Sequence, residues 1–318
     1  MQNGEKITKV ALIGLGAIGS FLASGLSEVL GENLRVIAGG ERKKRLEEKG
    51  VIINGTPYHF HIVDPKEDMK GDYPQLAIII TKFTGLEQAL KDIKNQIGPD
   101  TLIMAPLNGV EAEEAVASVY GWDNLLYSLT RVSVVMKDGE VSFEPGSGRM
   151  EFGEKKNPTV SPRVQAVCDL FESAGIRPFV PEDMEWAIWC KYMCNVSENQ
   201  TCAILGVPFG AFHRPGPANE FRKILAREVI QVANRKGINL SEEDLLHQGE
   251  ILKRIRAENK PSTLQDLEAG RRTEVEIFSG AMIRLGKELG VPVPCNELCY
   301  QGIRALEEKC VVTKTVTD

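Results

Sequence analysis

Lys191, Asn195 and Asn199 recur at every fourth position of Trp189-Cys190-Lys191-Tyr192-Met193-Cys194-Asn195-Val196-Ser197-Glu198-Asn199. On an α-helix the three fall within about 80° of one another, so one amine and two amides form a single polar stripe. The rest of that helix is rich in Trp, Met and Cys. Asparagine is a poor helix former, and two on a buried-looking face require an explanation. One is a hydrogen-bonded polar seam between domains. The other is a substrate site with a catalytic amine: an ammonium beside a carbonyl stabilises the negative charge developing on its oxygen and supplies a proton.

A second candidate is Gly14-Leu15-Gly16-Ala17-Ile18-Gly19. Three glycines at this spacing are a weak signal alone, but here they follow an apolar strand and open a helix. In that setting Gly14 permits a tight turn, Gly16 lets a pyrophosphate approach the backbone, and Gly19 lets helix pack on strand. The N-terminal N–H groups of the helix, including those of Leu15, Ala17 and Ile18, would then face phosphate. The alternative is a strand–helix turn with no ligand. At the end of the next strand stand Gly39-Gly40-Glu41-Arg42-Lys43-Lys44-Arg45. A carboxylate there holds the ribose 2′-hydroxyl of NAD, and an arginine accepts the 2′-phosphate of NADP. Four consecutive cations against one carboxylate favour NADP through Arg42, although a solvated first helical turn would read the same way.

The elements needed to carry these groups are legible. Lys9–Ile13 and Leu34–Ala38 read as short strands, Leu76–Thr81 as a continuous apolar strand of the kind buried on both faces of a parallel sheet, and Thr101–Leu107 as another buried strand. Ser20–Leu30 and Glu111–Tyr120 have helical spacing. Thr84-Gly85-Leu86-Glu87 reads as a capping box opening another helix, and Ser161-Pro162 as the cap and first turn of a helix ending at Gly175. Asn54-Gly55 and Asp138-Gly139, each between β-rich runs, signal hairpins. Ile176–Val180 is a last strand. Beyond Pro181 the pattern is helical: Ser241-Glu242-Glu243-Asp244 starts one helix, and Ser262-Thr263-Leu264-Gln265 starts a long one that runs to Gly290. The expectation is an α/β chain: an N-terminal Rossmann-type doubly wound domain, 1–182, then an all-helical domain, 183–318.

Composition limits the possible functions. The chain has 318 residues, 42% hydrophobic and 26% charged, which is globular material for about two domains. A net charge of −6 disfavours binding to nucleic acid or to a membrane surface. No apolar run spans a bilayer, and the first ten residues lack the pattern of a signal peptide, so a cytoplasmic location is expected. Seven cysteines, an odd count in a large chain, read as reduced thiols. Cys190 with Cys194 and Cys295 with Cys299 have a spacing that could present two thiolates, but structural zinc sites need four ligands. The four histidines make no metal motif, so no metal is expected. The oligomeric state is not encoded legibly; a homodimer is compatible with the sequence.

Taken together, these motifs resemble the ketopantoate reductase family over nearly the whole length. The resemblance is carried by the glycine motif, Thr81-Lys82, Asn108-Gly109, the W-x-K-x-x-x-N-x-x-x-N helix, and Ser262-x-Leu264-Gln265-Asp266 followed by Arg272-Thr273-Glu274. It implies that NADPH reduces a small branched 2-keto acid, 2-dehydropantoate, to its 2-hydroxy acid, pantoate, for pantothenate synthesis. It also implies roles. Lys191 is the general acid at the ketone oxygen, and Glu274 holds the substrate hydroxyl and the lysine. Ser262 binds the carboxylate end, and Asn195 and Asn199 line the substrate pocket. Lys82 and Asn108 stand where cofactor and substrate meet. Each has a plainer alternative: Ser262 as an N-cap, Glu274 as a surface partner of Arg271, Asn108 as a turn residue, Lys82 as a solvated cation. Two departures bear on specificity. Phe209 replaces an Asn that touches substrate in better-studied members, and the family's arginine after the second strand aligns with Glu41 or, shifted by one, Arg42. A reductase of another 2-keto acid and a non-catalytic NADP(H) sensor are therefore the rival readings.

Overall fold

The computed structural model describes residues 5–137 and 139–317, with 310–317 by backbone alone. Asp138, half of the second hairpin signal, lies outside the described residues, as do residues 1–4. The chain divides into two compact units, one to Glu185 and one from Trp186.

The first unit is built on an eight-stranded sheet. Its strands are β1 (Val10–Ile13), β2 (Leu34–Ile37), β5 (His61–Val63), β6 (Leu76–Ile79), β7 (Leu102–Met104), β8 (Leu125–Arg131), β11 (Arg149–Gly153) and β12 (Pro178–Phe179), in the spatial order β12-β11-β8-β7-β6-β1-β2-β5. From β5 to β8 the pairings are parallel; β11 runs antiparallel to β8. Strand order reverses between β1 and β6, which in open α/β sheets is where ligands bind, beyond the carboxyl ends of the strands. Alternate residues of each strand feed two cores. Val10, Leu12, Val36 and Ile78 pack on one side with α1 (Ala17–Leu30) and α5 (Pro162–Ser173). Ala11, Ile13, Ile37, Ala77 and Ile79 pack on the other with α3 (Leu86–Asp92) and α4 (Ala112–Tyr120). A helix α2 (Gly40–Lys49) follows β2.

The hairpin signals build a second sheet. Asn54 at φ +48° and Gly55 at φ +77° turn β3 (Val51–Ile53) back into β4 (Thr56–Tyr58). Gly139 at φ +85° lies between β9 (Val134–Lys137) and β10 (Glu140–Phe143), and β10 pairs with β3. The sheet packs on α1, where the Phe21 and Phe143 rings meet edge to face at 5.0 Å.

Three local expectations fail. The run after Gly55 is two strands, β4 in the hairpin and β5 at the edge of the main sheet. Thr84 forms no capping box: a 3₁₀ turn, Phe83–Gly85, precedes α3, Gly85 is its N-cap, and Glu87 instead pairs with Lys91 at 2.7 Å. The segment read as one helix from Ser262 is α10 (Ser262–Glu268), then an irregular stretch, then α11 (Ser279–Leu289). Gly270, at φ +62°, closes the first piece. Arg271 turns back to Asp266, with Nε on Oδ1 at 2.8 Å, and Thr273 donates N–H and hydroxyl to Glu307, both at 2.7 Å.

The second unit is helical throughout its described residues. It comprises α6 (Met184–Cys194), a π-helical turn at Asn195–Asn199, α7 (Gln200–Leu205), α8 (Pro217–Arg235), α9 (Glu242–Leu252), α10, α11 and α12 (Pro294–Thr317). The Ser241 and Asp244 side chains cap α9 reciprocally, as the sequence indicates. Among the described residues no helix is long and apolar enough to cross a membrane.

Candidate active site

At the reversal point a cleft of about 940 Å³ is walled by the ends of β1, β2 and β6 and the segments after them, including Ile13, Ile37, Ile80 and Thr81. The three glycines serve it differently. Gly14, at φ +107°, could not carry a side chain: a Cβ would lie 2.2 Å from the Ile80 carbonyl oxygen. A Cβ on Gly19 would lie 1.8 Å from the Gly14 carbonyl oxygen, so this glycine closes the loop on itself as well as on the strand. Gly16 is the opposite case. It caps α1 without a side-chain bond, and a Cβ there would meet nothing within 4 Å. The space is open to a ligand and would be filled by a side chain. A dinucleotide fits these residues: glycine backbone at a helix N-terminus for the pyrophosphate, and Arg42, Lys66, Lys82 and Lys91 on the wall for phosphate charge.

Arg42 is on that wall and Glu41 is not. The Glu41 carboxylate pairs with Lys44 at 2.8 Å, and Lys43 reaches Glu67 at 3.4 Å and Glu47 at 3.8 Å. Among the described residues Arg42 has no carboxylate partner, which leaves its guanidinium for an anion. Thr81, also on the wall, has a buried hydroxyl without a hydrogen-bond partner. Leu15 is buried in the core, while Ala17 and Ile18 begin α1; these can offer only backbone. Asn108 is half-buried beside Gly109 at φ +95° and does not line the cleft. Asp64, whose Oδ1 accepts the Lys66 N–H at 3.0 Å, and Asn95 do line it. Nothing in their local sequence marks them: the β2–β5 pairing brings the Asp64 loop alongside, and Asn95, beyond α3, meets that loop by donating Nδ2 to the Pro65 carbonyl at 2.8 Å.

In the second unit the polar stripe is real but its helix is not regular. Residues 192–194, 196–198 and 200 are buried; Lys191, Asn195 and Asn199 are half-exposed along one line. The π-turn preserves the alignment. At more than four residues per turn, positions four apart drift less around the axis than in an α-helix, and such turns recur at functional sites. Asn199 donates Nδ2 to Asn195 Oδ1 at 3.2 Å, and Asn195 keeps a buried Nδ2 with no hydrogen-bond partner. Inside the turn, Ser197 Oγ donates to the Met193 carbonyl at 2.6 Å and Gln200 Nε2 to the Val196 carbonyl at 2.8 Å, so side chains serve carbonyls of the widened ladder.

The same unit carries Ser262 and Glu274. Ser262 is not an N-cap: Pro261 holds that position, there is no side-chain cap bond, and Ser262 is exposed. Glu274 is half-buried in the irregular stretch, and Arg271, its expected surface partner, is taken by Asp266. Ser262 is therefore not explained as an N-cap, and Arg271 is engaged by Asp266. Phe209 is half-buried, its ring 6.5 Å from Phe212, and its N–H donates to the Asn259 carbonyl at 3.0 Å. That bond ties its loop to the segment leading into Ser262. Burial pushes the Cys299 thiol up to about 12 and raises Cys295 as well. Among the described residues no three His, Cys, Asp or Glu are grouped to hold a metal.

Comparison with known proteins places the chain in a family. Residues 10–157 match the family described as ketopantoate reductase PanE/ApbA, and residues 183–307 match its C-terminal domain. The 2-dehydropantoate 2-reductase of Archaeoglobus fulgidus is 29% identical over 307 residues, 95% of this chain and 99% of its own. That of Pyrococcus horikoshii is 29% identical over 308 residues, 94% and 97% of the two chains. Among solved structures, D-mandelate dehydrogenase in a ternary complex with NADH and anilino(oxo)acetate superposes with a TM-score of 0.84 at 25% identity, over 95% of this chain and 99% of that one.

Proposed function

The chain belongs to the ketopantoate reductase family and is an NAD(P)-dependent oxidoreductase of 2-keto acids, and we propose that it reduces 2-dehydropantoate to pantoate with NADPH. The observation that carries this reading is the stripe of Lys191, Asn195 and Asn199, half-exposed between buried neighbours at 192–194 and 196–198, with an unpartnered Asn195 donor.

When bound, the dinucleotide supplies the hydride that reduces the ketone. The protein must hold the keto acid, stabilise the oxyanion and deliver one proton. The Lys191 ammonium does the last two: its charge opposes the charge developing on oxygen, and its proton completes the alcohol. Glu274 accepts from the substrate hydroxyl and orients the ammonium. Ser262, exposed at the start of α10, donates to the substrate carboxylate, and Asn195 and Asn199 fix the chain between. Lys82, on the wall of the nucleotide cleft, contacts the cofactor. Gly14, Gly16 and Gly19 shape the pyrophosphate loop, and Arg42 meets the 2′-phosphate.

A second reading has its own support. Phe209 puts an aromatic wall where an amide contact to the polar substrate is expected, and the D-mandelate dehydrogenase structure is a close match in fold. On that reading the substrate is an aryl-substituted 2-keto acid. One experiment separates the two: following nicotinamide absorbance with NADPH and NADH against 2-dehydropantoate, aliphatic and aryl 2-keto acids. The proposal expects the highest kcat/KM for NADPH with 2-dehydropantoate. A higher value for an aryl keto acid would replace it with the second reading, and cofactor binding without turnover of any keto acid would make the protein a sensor.

A further inference from the structure

Two buried side chains bracket the Lys191–Asn199 stripe, and both grip the same peptide. Tyr192, 1% exposed, donates its hydroxyl to the Phe278 carbonyl oxygen at 2.7 Å. Gln200, at 0%, accepts the Ser279 N–H through Oε1 at 3.4 Å while its Nε2 holds the Val196 carbonyl of the π-turn. The Phe278 carbonyl and the Ser279 N–H are the two polar ends of one planar peptide unit. Held at both ends, that plane cannot rotate without breaking a buried hydrogen bond, and buried polar groups left unpaired are costly.

The gripped peptide begins α11, four residues after Glu274. It is anchored from behind as well. Ser279 Oγ donates to Asn296 Oδ1 at 3.0 Å, Asn296 Nδ2 donates to Glu228 at 2.8 Å, and Glu228 also accepts the Cys295 and Asn296 N–H groups at the start of α12, at 2.8 and 2.9 Å. The stripe therefore docks, at both its ends, onto a fixed point next to the turn that carries Glu274. Satisfying buried polar groups does not by itself require that the two contacts share one peptide.

We propose that Tyr192 and Gln200 are positioning residues, which through the Phe278–Ser279 peptide hold the Glu274 turn in register with the Lys191 stripe. This rests on the reading that Lys191 and Glu274 act on the substrate. Neither Tyr192 nor Gln200 touches the reacting atoms; each acts by fixing where ammonium and carboxylate stand relative to one another.

The test is Tyr192→Phe, which removes one hydroxyl and keeps the ring, with Gln200→Leu beside it. The expected result is a kcat lowered by about 10- to 100-fold, the range for a small misplacement of catalytic groups, with a raised KM for the keto acid. Calorimetry should show weaker binding of the 2-hydroxy acid product, and fluorescence titration should show unchanged NADPH affinity. In a Lys191→Ala background, Tyr192→Phe should cost no further turnover. If Gln200→Leu fails to fold, Tyr192→Phe decides alone. A Tyr192→Phe protein that melts earlier yet keeps parental kcat, KM and product affinity would overturn the proposal, as would an undiminished further loss in the Lys191→Ala background. Parental turnover by Lys191→Ala itself would overturn the underlying reading and this proposal with it.

Discussion

Replacing Arg42 with alanine should separate the two cofactors. Arg42 is the cation of its cluster that lines the nucleotide cleft, while Lys43 and Lys44 are engaged by Glu67, Glu47 and Glu41. No other cation of that cluster lines the cleft. A hydrogen bond to a charged group contributes about 1.5–3 kcal/mol, and at about 1.36 kcal/mol per decade its loss should weaken NADPH roughly 10- to 150-fold. Because Arg42 is exposed, solvent and salt screen the interaction, and the lower part of that range is expected. NADH has no 2′-phosphate and should bind the variant as it binds the parent. Arg42→Lys should fall between, since it keeps the charge but loses the planar fork that matches phosphate. Fluorescence titration with both cofactors at low and high ionic strength measures this directly, and the NADPH preference should narrow as salt rises. Equal affinities of the unmodified protein for NADPH and NADH would refute the assignment, as would an equal loss of both in Arg42→Ala.

Three further outcomes follow from the same geometry. Gly16→Val should fold and melt near the parent, because its side chain enters open space, yet lose NADPH binding; Gly19→Ala should instead destabilise the first unit, since its Cβ would collide with the Gly14 carbonyl. Normal nucleotide affinity in Gly16→Val would remove the loop from the site. Lys191→Ala should lower kcat by about 10²–10⁴-fold, the usual contribution of general acid catalysis, with little change in cofactor affinity, while Glu274→Ala should also raise KM; single-turnover rates at saturating substrate check both. Last, the Arg163 guanidinium, which donates to both oxygens of Glu154 at 2.7 and 2.5 Å, holds that carboxyl below its ordinary range, aided by the Ser161 hydroxyl. A depressed folded-state pKa contributes stability that is whole above the unfolded value of about 4.3 and is lost as pH falls through the folded one. The melting temperature should therefore fall more steeply below about pH 4.3, as the folded-state value is crossed, in the parent than in Glu154→Gln; parallel slopes there would show that the pair contributes nothing.

Much of the fold was legible because its determinants are local. Continuous apolar runs such as Leu76-Ala77-Ile78-Ile79 signal burial on both faces, and Asn54-Gly55 signals a turn through the positive φ both residues adopt. What escaped was set by partners distant in sequence. Strand β11 reads Arg149-Met150-Glu151-Phe152-Gly153, two charges in five residues, yet Glu151 is 2% exposed. Arg131 on the neighbouring β8 and Arg149 both donate to its carboxylate at 2.7 Å. No inspection of the strand alone shows that its charge is compensated. The break in the Ser262–Gly290 segment had a local signal, Gly270, but the turn is held open by Glu307 of α12.

The site divides along the same line. Glycine spacing and the Lys-Asn-Asn recurrence are statements about neighbours on one element, so sequence reaches them. The π-turn that aligns the stripe depends on Gln200 and Ser197 serving carbonyls of the widened turn, and on a peptide almost eighty residues further along the chain that receives Gln200. An α-helical projection still places Lys191, Asn195 and Asn199 together, because four residues is near one turn in either geometry. The stripe was therefore found by a reading that had the wrong helix. What that reading could not supply is the reason two asparagines are tolerated there. Asn is unfavourable in a helix because its side chain competes for backbone groups. Here Asn199 is turned instead onto Asn195, and the buried Asn195 donor has no protein partner. A donor left open in a buried turn lowers stability, and on the proposed function the acceptor of a keto acid would satisfy it.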